Sequence, residues 1–196
     1  APAILISDLH LTPESPETRA FFNRFLGSLG NIESLYILGD LFEYWLGDDA
    51  GETLGHTPVE DALKDLTNMG TPVRVMPGNR DFLLGQEFAY RTGSTILKDA
   101  TVQPFFGRQV LLLHGDSLCT DDEAHQKFRF IVDQPEWRSD FLDKPISERD
   151  DIGRAIRFRS NIEKRYKTSR IMDVNQSAIE AALKPTEAKL LIHGHT

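Results

Sequence analysis

Residues 3–10 read AILISDLH. An apolar run without interruption is the pattern of a strand covered on both faces. Here it ends at once in two polar residues with ligand chemistry, Asp8 and His10. The arrangement recurs four times. SLYIL (34–38) leads into GDLFE with Asp40, and PVRVM (72–76) leads into PGNRD with Asn79, Arg80 and Asp81. QVLLL (109–113) leads into HGDSL with His114, and KLLI (189–192) leads into HGHT with His193 and His195. Between these runs, TRAFFNRFLGSL (18–29) spaces Phe21, Phe22, Phe25, Leu26 and Leu29 for one helix face. PVEDALKDLTNMG (58–70) opens on a proline suited to a first helical turn and closes on Gly70. The β-α-β-α-β alternation predicts an α/β fold with sheet strands flanked by helices. ATVQPFFGRQVLLLH reads as a hairpin turning at Gly107.

From Cys119 to Arg170 the pattern changes to helix, broken at Pro135 and Pro145. Its apolar residues include Phe128, Phe130, Ile131, Val132, Trp137, Phe141, Leu142, Ile146, Ile152 and Ile156. Because strand signals flank it, 119–170 reads as a helical lid inserted into a core formed by 1–118 and 171–196. A helix over 173–184 then precedes the last strand. There is no internal repeat and no low-complexity segment.

Composition narrows the function classes. The 196 residues carry a formal charge of -8, which argues against nucleic acid held by the surface as a whole. Residues 148–170 are locally basic: Arg149, Arg154, Arg157, Arg159, Lys164, Arg165, Lys167 and Arg170 outnumber the acids. Such a patch suits a compact anionic ligand. The single cysteine, Cys119, excludes an internal disulfide and agrees with a reducing compartment. No run approaches the roughly 18–20 apolar residues of a membrane span, and the N-terminus has no signal-peptide pattern. The expected location is therefore cytoplasmic.

In open α/β sheets, ligands bind beyond the carboxyl ends of the strands. Five strands here deliver carboxylates, an amide and imidazoles to one edge. One histidine at a strand end is usually structural. Five polar clusters, each straight after a buried strand, need a different account, because gathered carboxylates repel unless cations neutralise them. Mixed imidazole and carboxylate donors suit Mn²⁺, Fe²⁺ or Zn²⁺ better than Ca²⁺ or Mg²⁺. Asp48–Asp49 and Thr120–Asp122 lack EF-hand spacing and are not read as Ca²⁺ loops.

The motif order DxH, GDxxE, GNxD, H, GHx resembles the calcineurin-like metallophosphoesterase superfamily. The resemblance implies a β-sandwich flanked by helices and two metal ions about 4 Å apart. It places Asp8 and His10 on the first metal, Asp40 bridging both, and Asn79, His114 and His195 on the second. His193 has no ligand role. The superfamily's last motif is GHxH, and this sequence stops one residue short of the second histidine. The resemblance therefore also implies that the C-terminal part is missing, leaving the first metal with Asp8, His10 and Asp40.

Where the superfamily commonly has GNH, this chain has Arg80. Arginine stays charged and is no proton donor at neutral pH. An alkoxide leaving group wants a general acid; a phosphate monoester, with a second pKa of about 6, does not. Arg80 thus favours cleavage of a pyrophosphate, with its guanidinium clamping phosphate oxygens. Longer strings, GDLFEYWLGDD (39–49), GNRDFLLG (78–85), HGDSLCTDD (114–122) and IMDVNQ (171–176), resemble the UDP-2,3-diacylglucosamine pyrophosphohydrolase family of bacterial lipid A synthesis. That resemblance spans Ile4 to Thr196. It implies Mn²⁺-dependent hydrolysis to 2,3-diacylglucosamine 1-phosphate (lipid X) and UMP, with water attacking the UMP-side phosphorus. Asp40, Asn79, Arg80 and His114 would be catalytic. Asn79, Arg80, Asp122, Ser160, Lys164, Lys167 and His195 would touch the substrate, and the lid would hold acyl chains. Lys164 and Lys167, read as one helical turn apart, would face the phosphate together. Apolar surface beside basic residues would dock the protein on the cytoplasmic face of the bacterial inner membrane. No protein partner is implied. The rival readings are another dimetal phosphodiesterase or nucleotide pyrophosphatase, and a non-catalytic protein that binds an acylated sugar.

Overall fold

The computed structural model describes residues 1–196. Strands β1 (Ala3–Ile6), β2 (Ser34–Leu38), β3 (Val73–Met76) and β4 (Thr95–Ile96) form a parallel sheet in that order. A second sheet holds β5 (Thr101–Phe105), β6 (Arg108–Leu113) and β7 (Leu190–His193). In it β5 and β6 are antiparallel, and β7 runs parallel to β6. The predicted hairpin turns through Phe106 and Gly107, both at positive φ (49° and 78°), as a tight two-residue turn requires.

Side-chain alternation explains the unbroken apolar runs. Along β2, Leu35 and Ile37 enter one core while Tyr36 and Leu38 enter another. The first core lies under helices α1 (Pro16–Ser28), α2 (Thr57–Asn68) and α3 (Gln86–Thr92). The second lies between the sheets, where Tyr36, Leu38 and Met76 meet Val110 and Leu112. The other face of β6 sends Leu111 and Leu113 against a helix, α8 (Gln176–Leu183), through Ala178 and Ile179. The layers are therefore helix, sheet, sheet, helix, and the central strands are covered on both sides.

Three local expectations change. β1 and β7 lie at sheet edges and are only half-buried, since each has a neighbour on one side alone. Phe21 is 66% exposed and leaves the α1 face that Phe22 and Leu26 bury; it lies one residue, about 100°, from Phe22. β4 and α3 escaped the sequence reading because two residues and seven are too short for a periodic signal.

Residues 123–172 carry α4 (Glu123–Val132), α5 (Pro135–Leu142), α6 (Ile146–Tyr166) and α7 (Ser169–Met172). Val132 and Phe141 are buried, whereas Phe130, Ile131 and Leu142 are exposed. A buried arginine moors α6 to the core. Arg149 donates to the Leu46 carbonyl (2.7 Å), to Asp49 Oδ1 (2.8 Å) and to the Lys144 carbonyl (3.0 Å). Arg149→Met is expected to cost about 2 kcal/mol, since two carbonyls lose a charged donor. Urea unfolding measures this, and hydrogen exchange should rise first along α6.

Candidate metal centre

The site is built where the strand ends of both sheets converge. Asp8, His10, Asp40 and His195 all sit at positive φ (56°, 49°, 53° and 71°). For residues other than glycine this left-handed backbone costs roughly 1–2 kcal/mol each. The strain turns each chain sharply off its strand and aims the side chains inward. Asp8 N–H donates to the Gly39 carbonyl (3.1 Å), and His10 N–H donates to the Asp40 carbonyl (3.0 Å), so the first two loops brace each other. Gly78 allows the third loop to close in. A Cβ there would strike Asp40 Oδ1 and come within 2.9 Å of His114 Cε1.

Asp8, Asp40, His114 and His195 each bring a ligand atom within 4.8 Å of the others. His10 Nε2 lies 3.7 Å from Asp40 Oδ2 and 3.9 Å from Asp8 Oδ1, and His114 Nε2 lies 2.9 Å from Asn79 Oδ1. The six residues singled out as metal ligands thus come together. His193 does not join them; its Nδ1 faces the Gly194 carbonyl at 2.8 Å.

The chemistry of this set fits divalent cations. His114 Nδ1 donates to the Leu38 carbonyl (2.8 Å), so the neutral imidazole presents its lone pair on Nε2. That lone pair meets Asn79 Oδ1 and, at 3.6 Å, Asp40 Oδ1. Acceptors gathered in a buried site repel unless a cation lies among them, a proton on His114 Nε2 in the metal-free protein or a divalent ion in its place. Burial pushes the Asp40 carboxyl up to about 7, and the Asp81 carboxylate adds to this. Burial would lower His114, but the Asp40 and Asp116 carboxylates hold it above its ordinary value. Burial together with the His114 charge brings His195 down to about 4, so its imidazole is neutral and able to ligate at neutral pH.

A surrounding shell holds these groups in place, and the sequence reading assigned it no role. Asp81, fully buried, accepts the backbone N–H groups of Asp40 (3.2 Å), Gly78 (2.7 Å) and Phe42 (3.1 Å). Glu43 meets His10 Nδ1 at 3.0 Å and Arg80 Nη1 at 3.3 Å, orienting the imidazole as second-layer carboxylates do. Asp116 takes His125 Nε2 (3.2 Å) and Arg129 Nε (3.3 Å), and His125 in turn packs on His195. Asp81 and Glu43 stand inside the quoted motifs; their carboxylate chemistry was the available signal. Asp48 is a helix anchor. It accepts from Trp45 Nε1 (2.9 Å) and from the N–H groups of Gly85 and Phe88 at the start of α3.

Asn79, Arg80, Ser160 and Lys167 line a cavity of about 410 Å³ between the loops and helices α4–α6, walled by Trp45, Phe82, Phe128 and Trp137. The expected pairing of Lys164 with Lys167 on one helical turn does not form. α6 ends at Tyr166, Lys167 is extended, and its ammonium grips Asp122 at 2.7 and 2.8 Å. Asp122 also caps α4 through His125 N–H (3.1 Å). Lys164 sits near Arg80, Asp40 and Glu43; partial burial and the Arg80 charge lower its pKa. The basic patch is partly neutralised, with Arg149, Arg154, Arg159 and Lys167 all in ion pairs. Phe158, Ile162 and Tyr166 form an exposed stripe at four-residue spacing on α6. No helix is long and apolar enough to cross a membrane.

A family model described as calcineurin-like phosphoesterase matches residues 1–196. A UDP-2,3-diacylglucosamine hydrolase of Aromatoleum aromaticum is 49% identical over 195 residues, 99% of this chain and 79% of its own. One from Neisseria meningitidis is 44% identical over 197 residues, 100% of this chain and 82% of its own. One from Aeromonas hydrophila is 43% identical over 194 residues, 98% of this chain and 80% of its own.

Proposed function

The chain belongs to the calcineurin-like phosphoesterase family, and on that premise we propose that it hydrolyses UDP-2,3-diacylglucosamine to lipid X and UMP. The observation that carries this reading is 43–49% identity to hydrolases of that substrate over nearly the whole chain. The apolar cavity opening beside Asn79 and Arg80 supports it, since an acylated sugar needs such a cavity next to the reacting phosphorus.

Divalent ions belong to the chemistry of this family. We assign two, with Mn²⁺ preferred. Asp8, His10 and Asp40 would hold one, and Asp40, Asn79, His114 and His195 the other. Such ions polarise phosphoryl oxygens and make water a nucleophile at neutral pH. The protein groups do the rest. Asn79, with its Nδ2–H groups as donors, orients the UMP-side phosphate at the strand ends, Asp40 would supply its carboxylate to the ions, and His114 stays fixed by its Leu38 bond. Arg80, steadied by Glu43, stabilises charge on the phosphate oxygens. The leaving group is a phosphate monoester and needs no proton, which suits a site with arginine in that place. Lys167, Asp122, Ser160 and Lys164 border the sugar phosphate. Residues 119–170 act as the lid over the acyl chains. The exposed Phe158–Ile162–Tyr166 stripe, with Arg159, Lys164 and Arg165 beside it, suits an anionic membrane surface and supports a reading in which the protein docks on the cytoplasmic face of the bacterial inner membrane.

The test is UMP release from UDP-2,3-diacylglucosamine with unacylated UDP-N-acetylglucosamine alongside. Turnover of the acylated substrate alone is expected. Equal turnover of both, or of neither, would remove the lipid assignment. Arg80→Ala should lower kcat/KM about 100-fold; unchanged turnover and affinity would sink its assigned role.

A further inference from the structure

A second cavity, of about 310 Å³, lies on the other side of the Phe82–Phe128 wall. It shares Asn79, Phe82, His125 and Phe128 with the apolar cavity, so both cavities border the metal centre's Asn79. Their chemistry differs. The larger is walled by Trp45, Trp137, Phe141 and Ile156. The smaller carries Lys98, Arg129 and Arg138 facing Asp99, Asp116 and Asp133, with Leu84 and Ile96 as apolar patches.

A pyrophosphate cleaved beside Asn79 has one substituent on each side, and in the proposed substrate these differ in solvation. An acyl chain in the smaller cavity would strip water from three cationic heads and return no hydrogen bond. A nucleoside would not. Two cations are already committed. Arg129 binds Asp99 (3.1 Å) and Asp116 (3.3 Å), and Arg138 binds Asp133 Oδ1 (2.8 Å) and the Val132 and Phe82 carbonyls (2.9 and 3.3 Å). Lys98 has no ion-pair partner, and Asp133 keeps Oδ2 uncommitted. An unpaired ammonium donates to a ring carbonyl, a free carboxylate oxygen accepts from vicinal ribose hydroxyls, and the aromatic wall offers a face to a planar base.

We propose that this second cavity, bounded by Phe82, Phe128, Lys98 and Asp133, is the pyrimidine nucleoside subsite. It holds the uridine of the substrate, and then UMP, while the apolar cavity holds the acylated sugar. This rests on the hydrolase reading above. The test is the inhibition constant of UMP, with the dissociation constant of lipid X measured beside it. Lys98→Gln and Asp133→Asn should each weaken UMP inhibition about tenfold, the loss of one charged hydrogen bond, and leave lipid X affinity unchanged. Ile156→Glu, in the other cavity, should weaken lipid X binding and leave UMP inhibition unchanged. If the wild type turns over UDP-2,3-diacylglucosamine but both Lys98→Gln and Asp133→Asn are inhibited by UMP as strongly as it is, the subsite is overturned and the hydrolase reading stands. Relief of UMP inhibition by Ile156→Glu would put the nucleoside in the apolar cavity. A wild type with neither turnover nor UMP inhibition would overturn both.

Discussion

Asp40→Asn is expected to lower hydrolysis by about 1,000-fold while making the metal-free protein more stable. Asp40 is 2% exposed, lies against Asp81 and faces His114 Nε2 at 3.6 Å. Its neutral isostere keeps the oxygen that accepts from Arg80 N–H (2.9 Å) and loses the charge that two cations would share. The stability change has a fixed sign. Burial raises the folded-state pKa from 3.8 to about 7, so the folded protein holds that proton after the unfolded chain has released it. The wild type's contribution from this group is complete below about pH 4 and is lost as pH rises to about 7. The loss is on the order of 2–4 kcal/mol. His195, held neutral down to about 4, works in the opposite direction below pH 6.5. The difference between Asp40→Asn and wild type cancels His195, which is common to both, and reports Asp40 together with the part of the His114 protonation that Asp40 supports. Thermal unfolding of chelator-treated proteins at pH 5 and pH 8 should show the variant's advantage at pH 8 only. Adding Mn²⁺ should reverse the order. A variant no more stable than wild type at pH 8 would refute this account of the site's charge.

Asp81→Ala should be the most destabilising single change near the centre, at about 3–5 kcal/mol. Its two oxygens accept three backbone N–H groups, from Asp40, Gly78 and Phe42. Alanine would leave all three without a partner, and each buried orphan donor costs about 1–3 kcal/mol. The same bonds hold the β2 and β3 loops against each other, so metal affinity should fall with stability. Asp81→Asn keeps part of the set and should lose less. Urea unfolding of the three proteins orders the effects, and metal content measured on the folded fraction separates loss of the site from loss of the fold. Equal stability of the alanine variant and the wild type would deny Asp81 this bracing role.

Most of the architecture was legible because its signals are local. Five short apolar-rich runs became β1, β2, β3, β6 and β7, and the unbroken pattern is strongest in β2, whose two faces enter different cores. The polar residue after each run needed no knowledge of packing, and the six candidate ligands meet because strand ends converge on one edge. The missed elements, β4 and α3, are too short to carry a period. Lys167 could not be placed from spacing, because α6 ends one residue before it and its partner Asp122 is 45 residues away.

By itself, then, the sequence determined the longer strands, two of the three helices over the first core, the ligand types at the strand ends and a resemblance specific enough to imply a substrate. Only the tertiary structure decided which strands share a sheet and that Asp81 and Glu43 hold the ligands rather than join them. It also decided that two cavities of opposite character border Asn79. The physical reason is range. Side-chain period and residue chemistry are written along the chain, whereas a carboxylate's role depends on which distant N–H, imidazole or guanidinium the fold brings to it, as Asp81 is brought to Asp40 from 41 residues away.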